Sequence, residues 1–295
     1  MSVHAIDTPL TQSDISDHLI TTQNGSVLST RLFTAPQAKS VVIMAGAMGV
    51  VQQCYEKFAK FLSENHHHVI TFDYVGTGQS LNTPLKHCKT DILGWGEQDC
   101  NAMLAFAQAQ YPDLPIQWIG HSVGAQLLGM TSNINQIKQA ITLAAGSGYW
   151  RENSPPTKKM VWFLWYFVAP ISVNLMGYFP GKKLNMVGDL PANVMRQWRR
   201  WCLNKEYAVG YEGKTLRNQY ATVNIPITAI SFEDDEMMSK ANIDSLHGFF
   251  SGANVTHQRL TQEDTQGQFV GHLGWFREKF KEPLWAQQIL PILNR

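Results

Sequence analysis

Ile116-Gln-Trp-Ile-Gly120-His121-Ser122-Val123-Gly124-Ala125-Gln126 begins as an apolar, strand-like run, passes through Gly-x-Ser-x-Gly and continues into a helix-compatible stretch. So sharp a strand-to-helix bend strains the backbone, and Gly120 and Gly124 remove the side chains that would collide across it. Ser122 is thereby predicted to stand exposed at a helix N-terminus. A glycine-rich turn with a capping serine would share this sequence, so the flanking segments decide between the two.

To the N-terminal side, short apolar runs alternate with helix-length segments: Ser40–Ala45 then 52–64, and Val69–Tyr74 then 93–110. To the C-terminal side come 123–132 and Gln139–Ala144, then after a gap Ile225–Ser231, 239–250, Val255–Leu260 and a helix near 284–293. That alternation predicts parallel strands joined by crossover helices in a doubly wound α/β sheet. Ahead of it, His18–Gln23 and Val27–Phe33 flank Asn24-Gly25, which predicts an antiparallel hairpin at the edge. The gap, 147–220, holds five of the nine tryptophans (Trp150, Trp162, Trp165, Trp198, Trp201) and shows no obvious strand. It is expected to be a helical cap inserted over the carboxyl edge of the sheet, with 1–146 and 221–295 forming the core domain.

A serine hydroxyl is a weak nucleophile until a base takes its proton, so Ser122 calls for a histidine and an acid further on. Phe232-Glu233-Asp234-Asp235-Glu236 places acids at a strand's carboxyl end, and Phe269-Val-Gly271-His272-Leu-Gly274-Trp-Phe places a histidine between glycines after the last strand. Four adjacent carboxylates usually form a solvated loop; here one must point inward, Asp235 by preference and Asp234 otherwise. Of the other histidines, His66-His67-His68 reads as a polar turn, and His247 and His257 fall in a helix and a strand. His4 and His87 fall in loops and His18 in the edge strand, while His121 lies too near Ser122 to fold back onto it. The order serine, acid, histidine differs from that of chymotrypsin and subtilisin.

Acyl transfer also needs donors for an oxyanion. Val123 N–H would be one; the other comes from Ala45-Gly46-Ala47-Met48-Gly49, with Ala47 preferred and Met48 the alternative. Neither Gly46-Ala-Met-Gly49 nor Gly76-Thr-Gly78 completes GxGxxG, and Gly177-Tyr-Phe-Pro-Gly181-Lys182-Lys183 falls short of a P-loop, so no nucleotide cofactor is expected. HExxH and Cys/His clusters are missing, so no metal is expected either.

Hydrophobic residues make up 44% of the 295 and charged residues 16%, which excludes intrinsic disorder; a net charge of +1 without a basic block argues against nucleic acid. The N-terminus lacks the pattern of a secretory signal, and Cys54, Cys88, Cys100 and Cys202 are scattered, which together predict a reducing, cytoplasmic setting. The most apolar run, Met160 to Val173, contains Pro170 and is shorter than the roughly 20 residues that span a bilayer, so no transmembrane segment is expected. Trp162, Trp165 and Tyr166 fit instead a weak membrane-surface contact through the cap. Oligomeric state is not legible.

On Ala45-Gly46-Ala47-Met48, Asp73-Tyr-Val-Gly76-Thr-Gly78-Gln-Ser80, the Gly120–Gly124 turn, Asp235 and His272, the chain resembles the α/β-hydrolase superfamily over nearly its whole length. It is most similar to the serine-aminopeptidase-like branch and, through Ala145–Trp150 and Gly-His272-Leu-Gly-Trp-Phe-Arg, to a group of bacterial predicted hydrolases. The resemblance implies an eight-stranded, mostly parallel sheet with a helical cap. It also implies Ser122 as nucleophile, His272 as general base then acid, and Asp235 as its orienter. Val75 departs from it, since relatives commonly carry a structural arginine there.

The expected function is therefore a serine hydrolase cleaving a carboxylic ester or thioester with an apolar acyl or aromatic group, lined by Met48, Trp150, Trp162 and Trp165. Peptide or amide hydrolysis, carbon–carbon hydrolysis and acyl transfer use the same three residues, and a binding protein on a hydrolase scaffold is the non-enzymatic alternative.

Overall fold

The computed structural model describes residues 13–295, so the readings of the N-terminus and of His4 lie outside the described residues. Strands β1 (Ile15–Thr21) and β2 (Val27–Phe33) form the antiparallel hairpin across Asn24-Gly25, in the register Ile15↔Phe33 to Thr21↔Val27. β3 (Ser40–Ala45) leads through α1 (Glu56–Glu64) to β4 (His67–Phe72), and α2 (Asn101–Gln110) then precedes β5 (Ile116–His121). The short helix α3 (Val123–Gln126) follows β5 directly, and β6 (Ile137–Leu143) comes next. The excursion after β6 contains α4 (Pro155–Met176), the two-residue strands β7 (Tyr178–Phe179) and β8 (Leu190–Pro191), α5 (Ala192–Leu203), α6 (Tyr207–Tyr211) and α7 (Lys214–Thr222). β9 (Ile227–Phe232), α8 (Lys240–Gly248) and β10 (Val255–Leu260) complete the sheet, and helical turns over Lys281–Ile289 and Leu290–Leu293 close the chain.

The sheet has eight strands in the order β1-β2-β4-β3-β5-β6-β9-β10, parallel from β4 onward, which is the α/β-hydrolase fold. β3 is buried throughout because both faces are covered: Val41, Ile43 and Ala45 join one apolar cluster, Val42 and Met44 the other. α2 packs Met103, Leu104 and Ala107 into the first, and α1 packs Phe58, Ala59 and Leu62 into the second with Phe276 and Trp285. Each of the larger of these side chains, the Val, Leu, Ile, Met and Phe, contributes about 1.5–3 kcal/mol relative to exposure. From β3 the chain steps to β4 on one side and then crosses to β5 on the other, a reversal of strand order at whose carboxyl edge open α/β sheets place their ligands.

Three expectations change. His67 and His68 belong to β4 rather than to a turn; they are tolerated in the interior because His67 Nδ1 meets Ser40 Oγ at 2.8 Å and His68 Nδ1 accepts Ala35 N–H at 2.9 Å. The excursion carries a strand pair, β7 with β8, too short and proline-bearing to show periodicity. The apolar run of 14 residues is part of a 22-residue helix, long and apolar enough to cross a membrane by length and composition.

Candidate active site

Ser122 lies between β5 and α3 at φ 53°, ψ −114°, a conformation that side-chain-bearing residues rarely adopt. The bend is held from three sides. Ser122 N–H donates to Leu143 O of β6 at 3.0 Å; a Cβ on Gly120 would collide with Ala125; one on Gly124 would run into the Ala45 carbonyl of β3. The hydroxyl is left half-buried, pointing at His272: Oγ and Nε2 are 3.1 Å apart.

His272 is buried at 3% exposure, and its Nδ1 faces both carboxylate oxygens of Asp235 at 3.0 and 3.2 Å. Asp235 follows β9 and is itself 4% exposed. Its Oδ1 also accepts the N–H groups of Met237 and Met238 at 2.8 and 2.9 Å, and these turn the carboxylate inward. The neighbouring acids hold the histidine loop instead. Asp234 accepts Val270 N–H and Gly271 N–H, Glu236 accepts His272 N–H at 3.0 Å, and Glu233 is exposed. The acidic run is thus a clamp around one inward carboxylate.

The loop after β3 approaches from the other side. Ala47 N–H donates to the Tyr55 hydroxyl at 2.7 Å, so the preferred oxyanion donor of the sequence reading is already engaged. Met48 N–H has no partner among the described residues, and Val123 N–H, first in α3, is one of the donors a helix start leaves free. Tyr55 itself gave no signal, since an aromatic at the start of an amphipathic helix reads as core. Its hydroxyl lies 3.0 Å from His121 Nδ1, and His121 Nε2 lies 2.9 Å from the His272 carbonyl. The acceptor at Nε2 fixes the tautomer: Nε2–H donates to His272 O, and Nδ1 accepts from Tyr55. His121 therefore does reach the site, from behind, and burial pushes its pKa down to about 3, so it stays neutral.

A match to the serine aminopeptidase S33 hydrolase family covers residues 36–262, from just before β3 to just past β10. The chain belongs to that family, and so to the α/β-hydrolases. No curated protein matches it. Among solved structures it is similar to an esterase from Pyrococcus furiosus (TM-score 0.61, 16% identity, covering 93% of this chain and 89% of that one). It is also similar to an esterase domain from a Rhodothermus marinus protein (0.57, 16%, 95% and 97%). A third is a soluble variant of monoglyceride lipase from Saccharomyces cerevisiae (0.58, 14%, 88% of each chain). At these identities the likeness is one of fold.

Within this hydrolase the aromatic residues expected to line a pocket separate. Met48 is buried beside the site, while Trp150 is half-buried with Arg151 5.3 Å over its ring. Trp165 is buried edge-on against Trp198 of α5, a helix-to-helix contact. Trp162 is 44% exposed and packs on Phe163 and Phe167, so it lies on the outer face of α4 rather than in a pocket. Val75, in place of an arginine, is held through its backbone: its N–H donates to Asp99 Oδ2 at 2.8 Å and its carbonyl accepts Trp95 Nε1–H at 3.0 Å.

Proposed function

We propose that this α/β-fold hydrolase cleaves carboxylic esters, with thioesters as the neighbouring chemistry, through an acyl-enzyme on Ser122. The single observation that carries the reading is the continuous relay from Ser122 Oγ to His272 Nε2 and from His272 Nδ1 to Asp235. In the acylation step His272 Nε2 takes the hydroxyl proton as Oγ bonds to the carbonyl carbon. The bond to the leaving alcohol then breaks, and His272 returns the proton to that oxygen. Water repeats the sequence to release the acid. Asp235 keeps the proton of His272 on Nδ1 and stabilises the imidazolium that forms. Met48 N–H and Val123 N–H serve the oxyanion, each worth about 10²–10³ in rate.

An ester rather than a peptide is favoured by the esterase and lipase names of the similar structures, although the family takes its name from an aminopeptidase. An apolar acyl group fits Met48, Val123 and Leu273, which adjoin the reacting groups; the outward tryptophan of α4 adds nothing to this argument. The stretch 147–220 acts as a cap, since its start is stitched to the acid loop: Ser154 Oγ donates to Asp235 O at 2.8 Å and Thr157 Oγ1 to Glu236 O at 2.6 Å.

The test is fluorophosphonate labelling followed by peptide mass spectrometry, together with turnover of p-nitrophenyl esters of increasing chain length. Label on the peptide containing Ser122, and turnover abolished in Ser122→Ala, are expected. An unlabelled wild-type protein that hydrolyses none of the esters would return the scaffold to a binding role.

A further inference from the structure

The outer face of α4 is apolar where a surface helix is normally polar. Met160, Phe163, Phe167, Ile171 and Leu175 recur at intervals of three and four, and each is between 47% and 82% exposed. Trp162 and Tyr166 flank the stripe, with exposures of 44% and 49%. Contiguous exposed apolar surface of this kind marks an interaction site.

The charge around it selects the partner. From 153 to 188 the chain contains no Asp or Glu; its charged side chains are Lys158 and Lys159 in the first turns of α4 and Lys182 and Lys183 beyond its end, all four exposed. A groove of about 190 Å³ between α4 and α5 is lined on the α5 side by Arg196, Arg199 and Arg200. None of the three has an ion-pair partner among the described residues. An apolar stripe with Trp and Tyr along it and cations at both ends and one side is complementary to a bilayer rich in anionic phospholipid.

Topology decides between lying on the bilayer and crossing it. Residues before α4 supply β1 to β6 and residues after it supply β9 and β10 of the same sheet. One crossing would put those strands on opposite sides of the membrane, and α4 is the only helix among the described residues able to make one. Its inner face is also engaged, through Trp165 on Trp198 and buried Ala169 and Val173. We infer that α4 docks this hydrolase flat on an anionic phospholipid surface, with the arginine-lined groove beside it receiving lipid phosphate groups. Because the start of α4 is bonded to the loop that carries Asp235, docking brings the active site to the lipid surface; only this last clause rests on the ester-hydrolase reading.

The experiment is co-sedimentation of the full chain with phosphatidylglycerol/phosphatidylcholine vesicles and with phosphatidylcholine vesicles, at low and high salt. Wild type is expected to pellet with the anionic vesicles and less so at high salt. Phe163→Ser/Phe167→Ser/Leu175→Ser should weaken binding about a hundredfold or more. Lys158→Gln/Lys159→Gln should weaken it on anionic vesicles about fivefold per lysine and leave phosphatidylcholine binding unchanged. An unchanged melting temperature and an unchanged far-UV circular dichroism spectrum show that each variant is folded. Wild type left in the supernatant with both vesicle types, or variants that pellet like wild type, would overturn the inference. So would sedimentation equilibrium showing a wild-type dimer that the triple variant dissolves and vesicles do not, since a second copy would then cover the stripe. Binding is read without turnover, so it stands or fails separately from the hydrolase reading.

Discussion

Behind Ser122 and His272 runs a second line of buried polar contacts. Ala47 N–H donates to Tyr55, Tyr55 O–H to His121, and His121 Nε2–H to the carbonyl of His272, so one chain of donors joins the loop after β3, the bend at Ser122 and the histidine loop. Tyr55→Phe leaves Ala47 N–H and His121 Nδ1 buried without partners. It is expected to lower stability by about 1–3 kcal/mol in urea melts and to reduce kcat more than it raises KM. Asp235→Asn is expected to lower kcat by about 10³–10⁴, because the amide favours the wrong tautomer of His272. Asp234→Asn keeps an acceptor for one of the two loop amides, Val270 N–H or Gly271 N–H, and leaves Asp235 in place, so it should cost less in kcat than Asp235→Asn, and ester kinetics on the two variants separate the roles. Ser122 and His272 were legible because glycines and chain order mark them. Asp235 was not separable from Asp234, because the choice lies in a turn that donates Met237 and Met238 N–H to one carboxylate, and neither donor is visible in a run of four acids. Tyr55 and His121 were missed for a similar reason: each makes its contacts across elements far apart in the chain.

At the scale of elements, β3 and β10 fall on the expected residues, since unbroken burial or clear bounds mark both. β4 begins two residues early because partners in β3 and the following β2 loop satisfy two histidines, a tertiary effect that local polarity conceals. The packing of α3 onto β3 is the tightest constraint on the site. A Cβ at Gly124 meets the Ala45 and Gly46 carbonyls, whereas Gly213, at φ 85°, has open space around it. Gly124→Ala is therefore expected to cost more than about 3 kcal/mol or to yield insoluble protein. Gly213→Ala should cost about 1–3 kcal/mol, from a positive-φ, extended backbone (φ 85°, ψ −157°) that is essentially reserved for glycine, and chemical denaturation compares the two.

For the molecule as a whole, buried titratable groups set the pH range of stability. Burial pushes His67, His68 and His247 down to about 4 and His121 to about 3. Between those values and the ordinary histidine value near 6.5, the unfolded chain binds protons that the fold does not, so stability is full above about 6.5 and falls as pH drops toward 4. Asp99 acts in the opposite sense. Burial raises it to about 8, so from about 4 upward the fold retains a proton that the unfolded chain has lost, and stability declines as pH rises. Asp99→Asn keeps the acceptor for Val75 N–H and should raise the melting temperature at pH 8 but not at pH 4, as differential scanning calorimetry would show.

β6 and β9 are hydrogen-bonded neighbours, paired from Ala140↔Ile227 to Leu143↔Ile230, yet α4 to α7 all lie between them in sequence. The polypeptide departs and comes home along a single seam. Chain added or removed between those two strands accordingly lengthens or shortens the excursion without breaking a single rung of the sheet.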